Sequence, residues 1–154
     1  MSRIYLASSW RCPTQPEVLA ALRAAGHEVY DFRNPAPGNT GFSWRQAGDV
    51  SAPGPYMQTL RSDVAAHGFS LDKGAMDWAD TCVLLLPCGR SAHLEAGYMA
   101  GEGKRVFVLL SEDKFEPELM YLLCTGITDS LDELLTLLTP VAGVNPCEGG
   151  GDGR

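Results

Sequence analysis

Arg3-Ile4-Tyr5-Leu6-Ala7-Ser8, Thr14-Gln15-Pro16-Glu17 and His27-Glu28-Val29-Tyr30-Asp31-Phe32 decide the fold class of this chain. The first is a short apolar run ending in small polar residues, the pattern of a buried strand. The second is a capping-box sequence with Pro in the first turn, which predicts a helix start. Val18, Leu19, Leu22 and Ala25 follow at helical spacing, and Gly26 ends the helix. The third alternates apolar and polar residues and reads as a second strand. Strand, helix and strand in that order form the parallel crossover unit.

The same alternation continues along the chain. Residues 33–55 are rich in Pro, Gly and Asn and carry Phe42 and Trp44 without a clear period. A loop that long is functional or mobile in a compact domain. Met57, Leu60 and Val64 form one stripe, with Gly68 after it, and Ser70 is placed to cap a further helix running through Ala79. Thr81-Cys82-Val83-Leu84-Leu85-Leu86-Pro87 is continuously apolar, as a strand covered by helices on both faces must be. A helix over 91–101, a strand over 105–110, a short helix over 117–123 and a short strand near 125–128 follow. Ser130-Leu131-Asp132-Glu133 is another capping box and opens a stripe of Leu131, Leu134, Leu135 and Leu138. The expectation is an α/β domain over residues 1–140. It has an open parallel five-stranded sheet of flavodoxin-like order 2-1-3-4-5, with helices on both faces. The Gly-rich stretch 141–154 has nothing to bury and is expected to be a disordered tail.

Composition narrows the partners. The 154 residues carry 12 Lys and Arg against 19 Asp and Glu, a formal charge of −7. Such a surface repels a phosphate backbone, so no nucleic-acid partner is expected. No apolar run approaches the ~20 residues of a membrane span, and Met1-Ser2-Arg3-Ile4 leads directly into strand-like sequence, so neither membrane nor signal peptide is expected. The five cysteines are odd in number and unpaired in spacing, and Cys82 reads as a core thiol. The expected compartment is the cytoplasm. Three histidines without paired spacing suggest no metal site, and no cofactor is expected.

In sheets of this order, ligands bind beyond the carboxyl ends of the strands where the order reverses, here between the first and third strands. The two loops at that point are Ser8-Ser9-Trp10-Arg11 and Pro87-Cys88-Gly89-Arg90-Ser91. Both offer small polar residues and an arginine, suited to an oxygen-rich ligand. With Ser91 as cap, Glu95 falls in the first helical turn, where the helix dipole favours an ionised carboxylate. Such a group can attack a sugar carbon. It can equally do no more than complement the dipole on a solvated face. Asp72, near the start of the preceding helix on this reading, is a candidate second carboxylate or another helix-end acid. Asp77 lies about 140° further around that helix and cannot face the same cleft. Tyr5 is a polar-tipped residue in an apolar strand and needs a partner for its hydroxyl. Trp10, Phe42, Trp44 and Trp78 are flat surfaces for a base, or simple packing residues. His93 reads as an exposed helix residue.

Tyr5 in the first strand, Asp72 ahead of the third, and Leu94-Glu95-Ala96-Gly97-Tyr98 after it resemble the nucleoside 2-deoxyribosyltransferase family, including its nucleoside and 5′-nucleotide N-glycoside hydrolases. The resemblance runs from Ile4 to Asp129, and Gly89–Tyr98 looks like one branch of that family. It implies that Glu95 attacks the anomeric carbon, that Asp72 serves the departing base, and that Tyr5 holds the Glu95 carboxylate in line. It further implies a nucleoside or nucleotide as small-molecule partner, and a homo-oligomer in which a neighbour completes the site. The chain departs from the family at two places. Gly89 stands six residues before Glu95, where the transferases carry Asp and a nucleotide-hydrolysing branch carries Ser. Glu118 stands where the family has Asn. Ser8, Ser9, Trp10, Arg11, Gly89, Arg90 and Ser91 are accordingly the candidate substrate-binding residues, and an arginine there suits a 5′-phosphate.

Three other readings stand beside this one, the second of them a related enzyme. One is a nucleotide-sensing domain that binds without turnover. Another is a nicotinamide dinucleotide glycohydrolase, which uses a similar carboxylate. The third is a flavin- or receiver-type protein, although Ser8-Ser9 stands where a receiver carries acidic residues.

Overall fold

The computed structural model describes residues 1–113 and 115–139. The expected tail, 141–154, lies outside them. The described chain runs β1 (Arg3–Ala7), α1 (Gln15–Ala24), β2 (Glu28–Tyr30), α2 (Trp44–Ala47), α3 (Pro53–Thr59), α4 (Asp63–Trp78), β3 (Thr81–Leu85), α5 (Arg90–Gly101), β4 (Arg105–Leu109), a 3-10 turn at Leu119–Leu123, β5 (Gly126–Thr128) and α6 (Leu131–Leu138). The five strands form one parallel sheet in the order β2-β1-β3-β4-β5, the flavodoxin-like arrangement. No helix of the described residues is long and apolar enough to cross a membrane.

Strand parity sorts the side chains into two layers. Ile4, Leu6, Val83, Leu85, Phe107 and Leu109 meet Val18, Leu19 and Leu22 of α1 and Leu134 and Leu138 of α6. Tyr5, Ala7, Cys82, Leu84, Val106 and Val108 point the other way, toward Ala75, Met76 and Ala79 around α4 and Ala92, Ala96 and Met99 of α5. Every residue of β3 is buried, which is why Thr81–Leu85 shows no alternation in the sequence. Tyr5 therefore faces the layer whose helices carry Asp72 and Glu95.

Several local expectations are corrected. Ser70 does not open a helix. Ser62 does, its side chain accepting from the Ala65 amide at 3.2 Å, and Ser70 sits inside α4 bonded to the His67 carbonyl. Gly68 does not end a helix either: α4 runs through it, and the absent side chain, which would collide with Phe42, lets a loop lie against the helix. Met57, Leu60 and Val64 are each 42% or more exposed, so their spacing marks no core stripe. Thr14 precedes α1 with helical backbone angles and makes no capping bond; its hydroxyl pairs with Cys12 Sγ at 3.4 Å. Ser91 is the second residue of α5, and Gly89 is the residue before the helix. Ser130 does cap α6, accepting from the Glu133 amide. Cys82 is fully buried, as a core thiol should be.

Candidate active site

The carboxyl ends of β1 and β3 open into a cavity of about 720 Å³. That is ample for a nucleotide-sized ligand. Ser8, Trp10 and Arg11 reach it from the loop after β1, Ser91 and Glu95 from α5, and Asp72 from α4. Its remaining wall comes from Phe32 and from Thr40 to Gln46, the loop after β2 and the start of α2. Of the sequence candidates, Tyr5, Ser9, Gly89 and Arg90 do not line the cavity. Ser9 turns its hydroxyl to the Arg11 amide at 3.1 Å, and the Gly89 carbonyl accepts from the His93 amide.

Asp72 sits in the middle of α4, not near its start, because the helix begins at Asp63. Asp77 faces elsewhere, bonded to Lys73 and to the Tyr98 hydroxyl. Glu95 lies in the second turn of α5, which begins at Arg90. The dipole argument for an ionised Glu95 therefore gives way to burial. Burial first, and the nearby Asp72 charge second, push Glu95 up to about 7, while the Tyr5 hydroxyl partly offsets them. Burial also raises Asp72, partly offset by the hydroxyl of Tyr30. The Asp72 charge is thus part of what holds the proton on Glu95, and the two carboxyls are electrostatically coupled.

Two phenols lie beneath this pair. Tyr5 is fully buried and stacks on Tyr30, ring centroids 5.5 Å apart and planes 15° from parallel. They are register partners on the parallel strands β1 and β2. Tyr30 donates a hydrogen bond to Asp72 Oδ1 at 2.9 Å. Burial raises both phenols well above their ordinary range, Tyr5 also through the Glu95 charge and Tyr30 through that of Asp72. Each therefore stays protonated; Tyr30 donates to Asp72, and Tyr5 lies against Glu95.

The loop after β1 is held by Arg33, a residue that sequence reading missed. Its Nη2 donates to the carbonyls of Ser9, Trp10 and Cys12 at 2.9, 3.1 and 3.0 Å. Its guanidinium also lies over the Trp10 ring. Buried Asp31 fixes the base of this turn, accepting from Gln15 Nε2 at 3.0 Å and from the Arg33 amide. Phe42 and Trp44 meet edge to face at 4.8 Å on the opposite wall. Trp78 packs against the core far from the cavity, with Arg3 over its ring. His93 is not an exposed residue: it stacks on Tyr121, with Nε2 2.9 Å from that hydroxyl. Tyr30, Arg45 and Gln46 also escaped the sequence reading. A polar-tipped aromatic at the end of β2 beside Tyr5 was the one available signal for Tyr30.

An α/β fold of this order, with two acids facing one cavity at its switch point, defines the class of protein. Solved structures share the fold. A 2-deoxyribosyltransferase from Bacillus psychrosaccharolyticus is 18% identical with a TM-score of 0.58, over 86% of this chain and 89% of that one. The CMP N-glycosidase BcmB of Clostridium botulinum is 18% identical with a TM-score of 0.51, over 88% and 97%. A conserved protein from Enterococcus faecalis is 17% identical with a TM-score of 0.58, over 88% and 96%. No protein-family model and no curated protein matches the chain. The likeness is one of fold.

Proposed function

We propose that this chain is a nucleoside 2-deoxyribosyltransferase-like enzyme. It cleaves the N-glycosidic bond of (deoxy)nucleosides or nucleoside 5′-monophosphates and passes the sugar to another base or to water. The observation that carries this reading is the pairing of Glu95 and Asp72 on one cavity of nucleotide size. Two neighbours of the same fold point the same way, one a 2-deoxyribosyltransferase and the other a CMP N-glycosidase.

In this mechanism, ionised Glu95 attacks C1′ of the bound sugar and forms an ester. The C1′–N bond breaks as Asp72 gives its proton to the departing base. A second base, or water, then attacks C1′ and frees Glu95, and Asp72 takes up the incoming proton. Tyr5 holds the Glu95 carboxylate from below. The first step needs one proton on the acid pair, with Asp72 protonated and Glu95 ionised, so kcat/KM follows a bell-shaped pH profile whose limits belong to the pair. Trp10, Phe42 and Trp44 offer faces for the base. Ser8, Arg11 and Ser91, joined by Arg45, bind the sugar and any 5′-phosphate. Ser9, Gly89 and Arg90 shape the loops that carry them.

A homo-oligomer is part of this reading. Leu94, Leu119, Met120, Leu122 and Leu123 are 57% or more exposed in the single chain, an apolar surface suited to a second copy.

The deciding experiment incubates the protein with a panel of nucleosides and 5′-monophosphates, with and without a free acceptor base, followed by chromatography. Base exchange identifies a transferase, and free sugar with free base a hydrolase. Absence of turnover across the panel, or full activity in Glu95→Ala, removes the proposal.

A further inference from the structure

Asp72 stands in a helix interior with its carboxyl on the cavity. The torsion that turns an aspartate carboxyl is broad and roughly two-fold, so the backbone alone does not aim its oxygens. Among the described residues, one side chain bonds this carboxyl: Tyr30, from its hydroxyl to Oδ1 at 2.9 Å. Tyr30 is itself rigid. It ends β2, its backbone is in register with β1, and its ring lies flat on buried Tyr5.

We propose that Tyr30 is a positioning residue for the acid step: by tying Asp72 Oδ1 to the sheet it leaves Oδ2 as the oxygen that presents a proton to the departing base. The inference rests on the enzymatic reading above and deepens it. The two acids would then be set by one stacked pair, Tyr5 for Glu95 and Tyr30 for Asp72. No bond to the substrate is made or broken by Tyr30. Its part is to restrict one torsion before the proton moves.

The test is Tyr30→Phe, which keeps the ring and its stacking and removes only the hydroxyl. Two substrates are compared. One is an ordinary nucleoside that the wild type turns over, whose base needs a proton to leave. The other is its counterpart with a base that leaves unaided: an N7-methylated purine, or a 5-fluorinated pyrimidine whose anion is more stable. The expected result is a kcat about tenfold lower on the ordinary nucleoside, with KM within about twofold, and little change on the activated one. An equal loss on both substrates, or no loss on either, overturns the positioning role while leaving the enzymatic reading intact. A wild type that turns over neither substrate overturns both. Asp72→Asn serves as the reference, since it must show the same substrate dependence in stronger form.

Discussion

Gly68→Ala sets two known effects against each other. Within a helix, alanine is favoured over glycine by about 1 kcal/mol. At this position, however, the new Cβ would lie 2.8 Å from Phe42 Cδ2 and 3.1 Å from both Cβ and Cγ of Phe42. The last two atoms sit close to the backbone, so rotating the ring alone gives no relief. Overpacking of this kind costs about 1–3 kcal/mol where nothing can move. Phe42 belongs to the loop after β2, and the segment can shift as a unit. The strain is then released by moving Thr40–Gln46, including the Phe42–Trp44 pair at 4.8 Å. Net stability is therefore expected to change by less than about 1 kcal/mol, a shift of a few degrees in Tm. Nucleoside binding, in contrast, is expected to weaken about tenfold as the cavity wall moves. Thermal melts, Trp fluorescence and equilibrium binding read the three quantities separately. A Tm raised by the full propensity gain, with unchanged fluorescence and unchanged affinity, would refute the idea that Gly68 seats the wall of the site.

Three further outcomes follow from the geometry. Glu95 has its folded pKa raised from 4.5 to about 7, so the native state binds its proton more tightly than the unfolded chain and stability falls as pH rises through that window. Glu95→Gln should therefore raise Tm above pH 7 while abolishing turnover, and change Tm little near pH 4.5; a melt series across pH checks the sign. Arg33→Met keeps much of the stem but removes Nη2, the one nitrogen that reaches three carbonyls, and should cost about 1–3 kcal/mol in denaturant unfolding. Leu122, 79% exposed, lies on the apolar surface of the 3-10 turn, and Leu122→Asp should convert an oligomer to the 16.6 kDa monomer in sedimentation. A wild-type protein that is already monomeric would remove the oligomer from the proposal.

Much of the site can be read from residue order alone, because a parallel sheet brings the loops after β1 and β3 together whatever their residues. Ser8, Trp10, Arg11, Ser91 and Glu95 were legible on that ground. Asp72 was legible as a residue but not as a place: the sequence offered Ser70 as a cap, whereas Ser62 opens α4 and Ser70 turns its hydroxyl back to the His67 carbonyl. Ser9 illustrates the opposite error, since a polar residue in the right loop can still be spent on the loop itself, and Arg90 opens α5 without lining the cavity. Arg33 and the wall from Thr40 to Gln46 left no periodic signal, because irregular loops are shaped by long-range contacts.

By itself the sequence determined the alternation of strands and helices, and with it the sheet order and the location of the cleft. Hydrophobic period and right-handed crossovers act locally and leave few alternatives. Only the tertiary structure decided which polar groups meet. The stacking of Tyr5 on Tyr30, the bond from Tyr30 to Asp72 and the half-buried state of Glu95 all depend on residues far apart in the chain. Their protonation is set by desolvation and neighbouring charge, quantities that exist only once the chain has closed around them.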